Sequence, residues 1–154
     1  MADEIVFVGR HDEKLGPDGT FTMPDEWRSG ITEGRVVYIL PDRDGRCLNL
    51  VPDIVMEREL ANIRTGAKVD AADQEALRVI GEAMYQIVAD NEWRVEIPQR
   101  LRETFGIADE VALIGSIRMI KIWAKPALDE MEIPEEFEKL LEDDEEEKRH
   151  GKPL

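Results

Sequence analysis

The chain carries one phrase twice. Residues 17–31 read PDGTFTMPDEWRSGI and residues 89–107 read ADNEWRVEIPQRLRETFGI. Both pass through a short alternating segment into a proline, reach an arginine four residues later and close on Gly-Ile. Aligning Pro24 with Pro98 sets Arg28 opposite Arg102. Phe21 and Met23 in the first copy, and Val95 and Ile97 in the second, alternate with other residues at a period of two. That spacing fits a strand with one buried face. Proline ends such a strand because it has no N–H for the ladder. DEWRSG and QRLRETFG then read as single helical turns stopped by Gly30 and Gly106.

Each copy continues with VVYIL or VALIG, a turn, and RCLNLVP or MIKIWAKP. PDRDGR supplies strong turn chemistry in the first copy, GSIR a weaker form in the second. A helix follows each. Asp53 is placed to cap one whose apolar face is Met56, Leu60 and Ile63; the other, after Pro126, is shorter. Between the copies a further helix is expected from near Asp70, with Leu77, Ile80, Met84 and Ile87 along one stripe. Each copy is about 45 residues long and has too few strands to close a barrel alone. Two copies pairing about a pseudo-twofold axis would bury each other's apolar faces. The expected fold is α+β and β-rich. It divides into a first repeat at 7–55, a helical connector at 56–84, a second repeat at 85–128 and an acidic tail at 129–154.

A length of 154 residues and a hydrophobic fraction of 42% suit one globular domain. No apolar run approaches the roughly 20 residues that span a bilayer, and the start MADEIVFVGR does not resemble a secretory signal. Cys47 is the single cysteine, which excludes an internal disulfide and a Cys-rich zinc site. A cytoplasmic address, with no membrane partner, is expected.

The net charge of −15 disfavours a generic nucleic-acid binder, whose affinity comes mainly from Lys and Arg on phosphates. The charge is unevenly placed. From Asp129 onward there are 12 acids and 4 bases. Residues 17–52 hold 6 acids and 4 bases, whereas residues 94–125 hold 4 acids and 6 bases. Of the two copies, the second is better suited to meet an anion.

Catalysis finds no foothold. Ser29 and Ser116 lie in no nucleophile motif, and His11 and His150 stand alone near the two ends. There is no phosphate-cradling Gly loop and no metal-ligand spacing, so no catalytic residue, cofactor, metal or small-molecule substrate is expected.

A strand into IP, then LR, then GI, then VALIG…IKIWAKPALDEM resembles the second half of the MraZ family of bacterial transcriptional regulators. Such proteins are built of two SpoVT-AbrB repeats. The N-terminal FVGRHDEKLGPDG fits the family's opening Phe-x-Gly, and the resemblance covers residues 5–131. The family hallmark is Asp-x-Lys-Gly-Arg, or more loosely Asp-x-x-x-Arg, just before the strand that ends in Pro. Here DNEWR keeps Asp90 and Arg94 but has Glu92 and Trp93 inside. In the first copy the positions read GPDGT, with Gly16 and Thr20 at the ends and Gly19 retained. The resemblance implies a swapped-hairpin fold and a ring-shaped homo-oligomer, nucleoid-associated, on double-stranded DNA. The sites would be short direct repeats upstream of the division and cell-wall gene cluster. AbrB-type antitoxins share a similar fold but usually carry one repeat.

Residues in the two turns carry the functional question. Asp90 and Arg94 read either as an ordinary turn beside a solvated arginine, or as an arginine projected to phosphate or a guanine edge, with Asp90 holding it. Arg100 has no basic counterpart in the first copy and is a weaker candidate DNA contact. Arg28 and Arg102 match across the copies, as scaffold residues do, and are expected to bond carbonyls at the end of the helical turn; Gly19 serves its turn. Trp27, Trp93 and Trp123 read as packing or interface residues, with a contact to DNA open for Trp93. The tail, with Phe137, Leu140 and Leu141 before its acidic run, reads as a solvated end or as a screen over a basic face. A DNA-binding regulator is the first expectation. The alternative is a protein-interaction module that keeps the fold but has lost DNA.

Overall fold

The computed structural model describes residues 6–64, 74–75, 78 and 81–131. In chain order it forms β1 (Arg10–Lys14), β2 (Thr20–Thr22), a 3₁₀ turn (Asp25–Gly30), β3 (Val36–Pro41) and β4 (Leu48–Pro52). Then come α1 (Asp53–Arg64), β5 (Tyr85–Val88), β6 (Arg94–Glu96), α2 (Gln99–Thr104), β7 (Glu110–Ser116), β8 (Met119–Ala124) and α3 (Lys125–Asp129). Residues 74, 75, 78, 81 and 82 are helical as well. The fold is α+β and strand-rich, and every strand pairing is antiparallel.

Six strands form one sheet in the order β1-β7-β8-β4-β3-β5; β2 and β6 form a separate two-stranded ribbon. The hairpins β3-β4 and β7-β8 meet along β4 and β8, where Leu48 faces Ile122, Asn49 faces Lys121 and Leu50 faces Ile120. Each outer strand crosses to the other half of the chain. β1 joins β7 and β5 joins β3, so that Glu13 faces Val111 and, 74 residues on and 74 back, Ile87 faces Val37. The flanking bonds recur in the same way: Leu15 N–H donates to the Asp109 carbonyl at 2.8 Å, and Ala89 N–H to that of Arg35 at 3.0 Å. In the ribbon Phe21 faces Val95, flanked by Thr20 opposite Glu96 and Thr22 opposite Arg94.

The alternation seen in sequence decides which ribbon face is dry. Phe21, Met23, Val95 and Ile97 are buried, while Thr22, Arg94 and Glu96 are exposed. They join Trp27, Leu48, Leu50, Leu113, Ile120 and Ile122 in one core. Among the described residues no polar or charged residue is buried. The core is therefore held by apolar burial, worth about 1.5–3 kcal/mol for each large side chain. Trp27 packs edge-on to Phe7 and donates Nε1–H to the Val8 carbonyl at 3.2 Å. Its one polar atom is thereby satisfied.

Three local expectations are corrected. Ile87 does not continue a helical stripe; it lies in β5, because Val37 of β3 offers it a ladder partner. Met84 lies between the last helical residue and that strand. Asp53 is the first residue of α1 rather than a cap ahead of it, since β4 runs directly into the helix at Pro52. Leu77 and Ile80, the side chains of Leu60 and Ile63, and the tail from residue 132 lie outside the described residues.

Candidate nucleic-acid interface

The ribbon carries a turn at each of its two ends. Residues 16–20 lead into β2 and residues 90–94 into β6. Their frames match: Gly16 N–H donates to the Thr20 carbonyl and Gly19 N–H to that of Gly16, at 2.8 and 2.9 Å. Asp90 N–H donates to the Arg94 carbonyl and Trp93 N–H to that of Asp90, at 3.1 and 3.0 Å. Ladder bonds tie each turn to the opposite strand, Met23 N–H to Trp93 O at 2.8 Å and Ile97 N–H to Gly19 O at 3.0 Å. The fourth turn residue is left-handed in both, with φ of +77° at Gly19 and +64° at Trp93.

Beyond each ladder bond the chain enters proline and an arginine returns. Arg28 donates Nε–H to the Met23 carbonyl and Arg102 to the Ile97 carbonyl, both at 2.9 Å. These carbonyls precede the helical turns; they are not at the ends expected from sequence. The proline that follows has no N–H to continue the ladder, and the arginine of the helical turn satisfies the carbonyl before it.

Only the second turn holds a charged clasp. Asp90 Oδ1 accepts the backbone N–H of both Glu92 and Arg94 at 2.9 Å, and its Oδ2 accepts Arg94 Nε–H at 2.7 Å. These bonds, led by the Arg94 backbone amide and then its side chain, hold the Asp90 carboxyl below its ordinary range. The Arg94 guanidinium is thereby fixed in plane while its side chain stays 53% exposed. Its Nη atoms make no hydrogen bond among the described residues; Glu92 Oε2 lies 3.7 Å from Nη1. Such a half-engaged guanidinium can still present two parallel donors.

Arg100 lies on the exposed face of α2 and has no bond to Asp90 or Arg94; among the described residues only its carbonyl is used, by Thr104 Oγ1 at 2.8 Å. The positive balance of residues 94–125 is also partly spent. Lys121 is paired with Asp42 at 2.8 Å, and Lys125 lies 3.3 Å from Glu110 and 3.5 Å from Asp12. Hollows of about 530 and 440 Å³ flank Arg102 and Arg28. Asp18, Glu96 and Glu103 line the first, Glu13, Asp25 and Glu26 the second, so neither suits an anion.

One partner of the second turn had no sequence signal. Arg35 sits 58 positions before Trp93 yet stacks its guanidinium 4.9 Å from the ring centroid and donates Nη1–H to Asn91 Oδ1 at 3.2 Å. Arg28 lies over the same ring at 5.8 Å. Trp93 thus packs against cations and is half-buried.

No family model matches the chain. Curated proteins named transcriptional regulator MraZ do. That of Cutibacterium acnes is 27% identical over 121 residues, 77% of this chain and 81% of the relative. That of Paenarthrobacter aurescens is 27% identical over 125 residues, 81% of this chain and 85% of its own. That of Bacteroides fragilis is 29% identical over 143 residues, 90% of each.

Proposed function

We propose that this chain, a member of the MraZ family, is a DNA-binding transcriptional regulator that contacts DNA through the turn at residues 90–94. The observation that carries this reading is the Asp90–Arg94 clasp, which aims an exposed guanidinium from a stiffened turn. Arg94 is the reader or phosphate contact, Asp90 its holder, and Arg100 an auxiliary cation. Arg28, Arg102 and Gly19 belong to the scaffold. The two halves act as swapped-hairpin copies about a pseudo-twofold axis, and the recurrence of the β1-β7 and β3-β5 registers supports that arrangement.

One clasp per subunit is a weak grip. A ring-shaped homo-oligomer on short direct repeats would raise the effective concentration of each further turn. The natural target of such a regulator is DNA upstream of its own operon, in the division and cell-wall cluster. The test is footprinting and gel shift of wild type and Arg94→Ala on that DNA at moderate salt, with sedimentation alongside. Loss of one bidentate contact costs about 1–3 kcal/mol per subunit. Arg94→Ala should therefore lose most binding with an unchanged oligomer; equal binding would clear Arg94.

A second reading is favoured by the carboxylates of Asp18, Glu92 and Glu96 around the ribbon, which repel phosphate. On that reading the fold is kept as a protein-interaction module, and neither wild type nor variant shifts the DNA.

A further inference from the structure

We propose that Arg35 and Trp93 are positioning residues: the first half of the chain clamps the 90–94 turn and sets the Arg94 guanidinium. This rests on the reading of that turn as the DNA contact, and it names what holds the turn in place.

Arg35 engages every second residue of the approach and turn. Its carbonyl accepts Ala89 N–H at 3.0 Å, its Nη1 donates to Asn91 Oδ1 at 3.2 Å, and its guanidinium covers the Trp93 ring at 4.9 Å. A second set of contacts closes on the same ring. Trp93 O accepts Met23 N–H, Met23 O accepts Arg28 Nε–H, and the Arg28 guanidinium returns over Trp93 at 5.8 Å. Asp90, between these anchors, is left to hold Arg94.

Backbone conformation is an independent sign. Only three non-glycine residues among those described have a left-handed φ, and two of them are Arg35 at +54° and Trp93 at +64°. L-residues avoid that region, and such conformations persist only where the surroundings enforce them. Here the two strained residues stack on each other.

The clamp exists on one side only. The carbonyl that matches Arg35 O belongs to Asp109, which receives Leu15 N–H, and the residue that matches Trp93 is Gly19. An acid and a glycine cannot form a cation–π contact. The half that lacks the Asp/Arg pair therefore supplies the clamp, and the half that keeps the pair receives it.

The experiment compares the full chain with Arg35→Ala, Arg35→Lys and Trp93→Leu, the last keeping a side chain at the left-handed position while removing the ring. Hydrogen exchange of the Glu92 and Arg94 backbone amides, both bonded to Asp90, reads the turn without DNA. Arg35→Ala and Trp93→Leu should speed both by about tenfold, the scale of one partly desolvated cation–π contact, with core amides such as Leu113 unchanged. Arg35→Lys should fall between, keeping the charge but losing the flat stack. On the upstream DNA, Arg35→Ala should weaken binding several-fold at an unchanged salt slope. A slope lower by about one would mark Arg35 as a phosphate contact and overturn the positioning role. Unchanged exchange at Glu92 and Arg94 would overturn the clamp. If wild type ignores DNA, the DNA reading fails, while exchange still decides the clamp.

Discussion

Gly19 lies so close against the guanidinium of Arg102 that a Cβ built on it would fall 2.3 Å from Nε and 2.5 Å from Cζ. Arg102 has little freedom to retreat, because its Nε–H is spent on the Ile97 carbonyl. Gly19 also has a left-handed φ of +77°. Gly19→Ala therefore meets two penalties, about 1–2 kcal/mol for the left-handed side chain and about 0.5–1.5 kcal/mol for the displaced hydrogen bond. Urea unfolding should show a loss of about 2–3 kcal/mol. Arg102→Ala in the same chain should relieve part of it, giving a double mutant less destabilised than the sum of the singles.

The seam between β4 and β8 is the next place to probe. Leu50 is fully buried there opposite Ile120, where the β3-β4 and β7-β8 hairpins join. Leu50→Ala should cost about 2–5 kcal/mol, as core truncations do. A single transition with an unchanged denaturant slope is expected, since the outer strands exchange halves and neither half keeps its sheet alone. Two separated transitions would show the halves unfolding independently.

Much of this framework could be read from the residues, and the failures have physical reasons. Strand, helical turn, two strands and helix recur in both copies because the apolar alternation before Pro24 and Pro98 is strong. β1 carries no strand signal in sequence, because RHDEK has no apolar residue to alternate. β5, YQIV, falls inside a helical pattern, because Ile87 lies at helical spacing from Leu77, Ile80 and Met84; so short a run does not fix its own period. Asp90 and Arg94 were legible because one turn contains both. Arg35 was not, since its meeting with Trp93 depends on β5 pairing with β3, a tertiary fact.

Acid should expose the paired carboxylates. Asp42 is held below its ordinary range, first by the Lys121 side chain and further by Asn49, and Asp12 likewise by Arg10. A depressed folded pKa contributes stability above the unfolded value of about 3.9 and loses it as pH falls through the folded value. Protonating other surface acids relieves the net charge of −15 and acts in the opposite sense. Comparing variants separates the two. Asp42→Asn should lower the melting temperature at pH 7 and flatten its decline below about pH 4. An unchanged acid limb would show that the Asp42–Lys121 pair contributes nothing net.

The first turn offers the most direct way to add binding, and the ribbon register dictates how. Thr20 occupies the place that Arg94 holds in the other turn, so Thr20→Arg would supply a second guanidinium. Thr20 faces Glu96 across the ribbon, however, and a new arginine there would pair with that carboxylate. Gly16 stands where Asp90 stands in the second turn; a Cβ on it would fall 2.9 Å from Thr20 Oγ1, a contact that exists only while Thr20 remains. Thr20→Arg alone should therefore raise DNA affinity little. Thr20→Arg with Glu96→Thr should raise it clearly and steepen the salt dependence by about 0.9 in log–log slope for each phosphate newly neutralised. Adding Gly16→Asp should sharpen preference for the upstream repeats over random DNA, by fixing the new guanidinium as Asp90 fixes Arg94. Titrations of the three variants at several salt concentrations read all of these quantities. If removing Glu96 adds nothing to Thr20→Arg, the ribbon face does not meet DNA, and the carboxylates around it serve a protein partner instead.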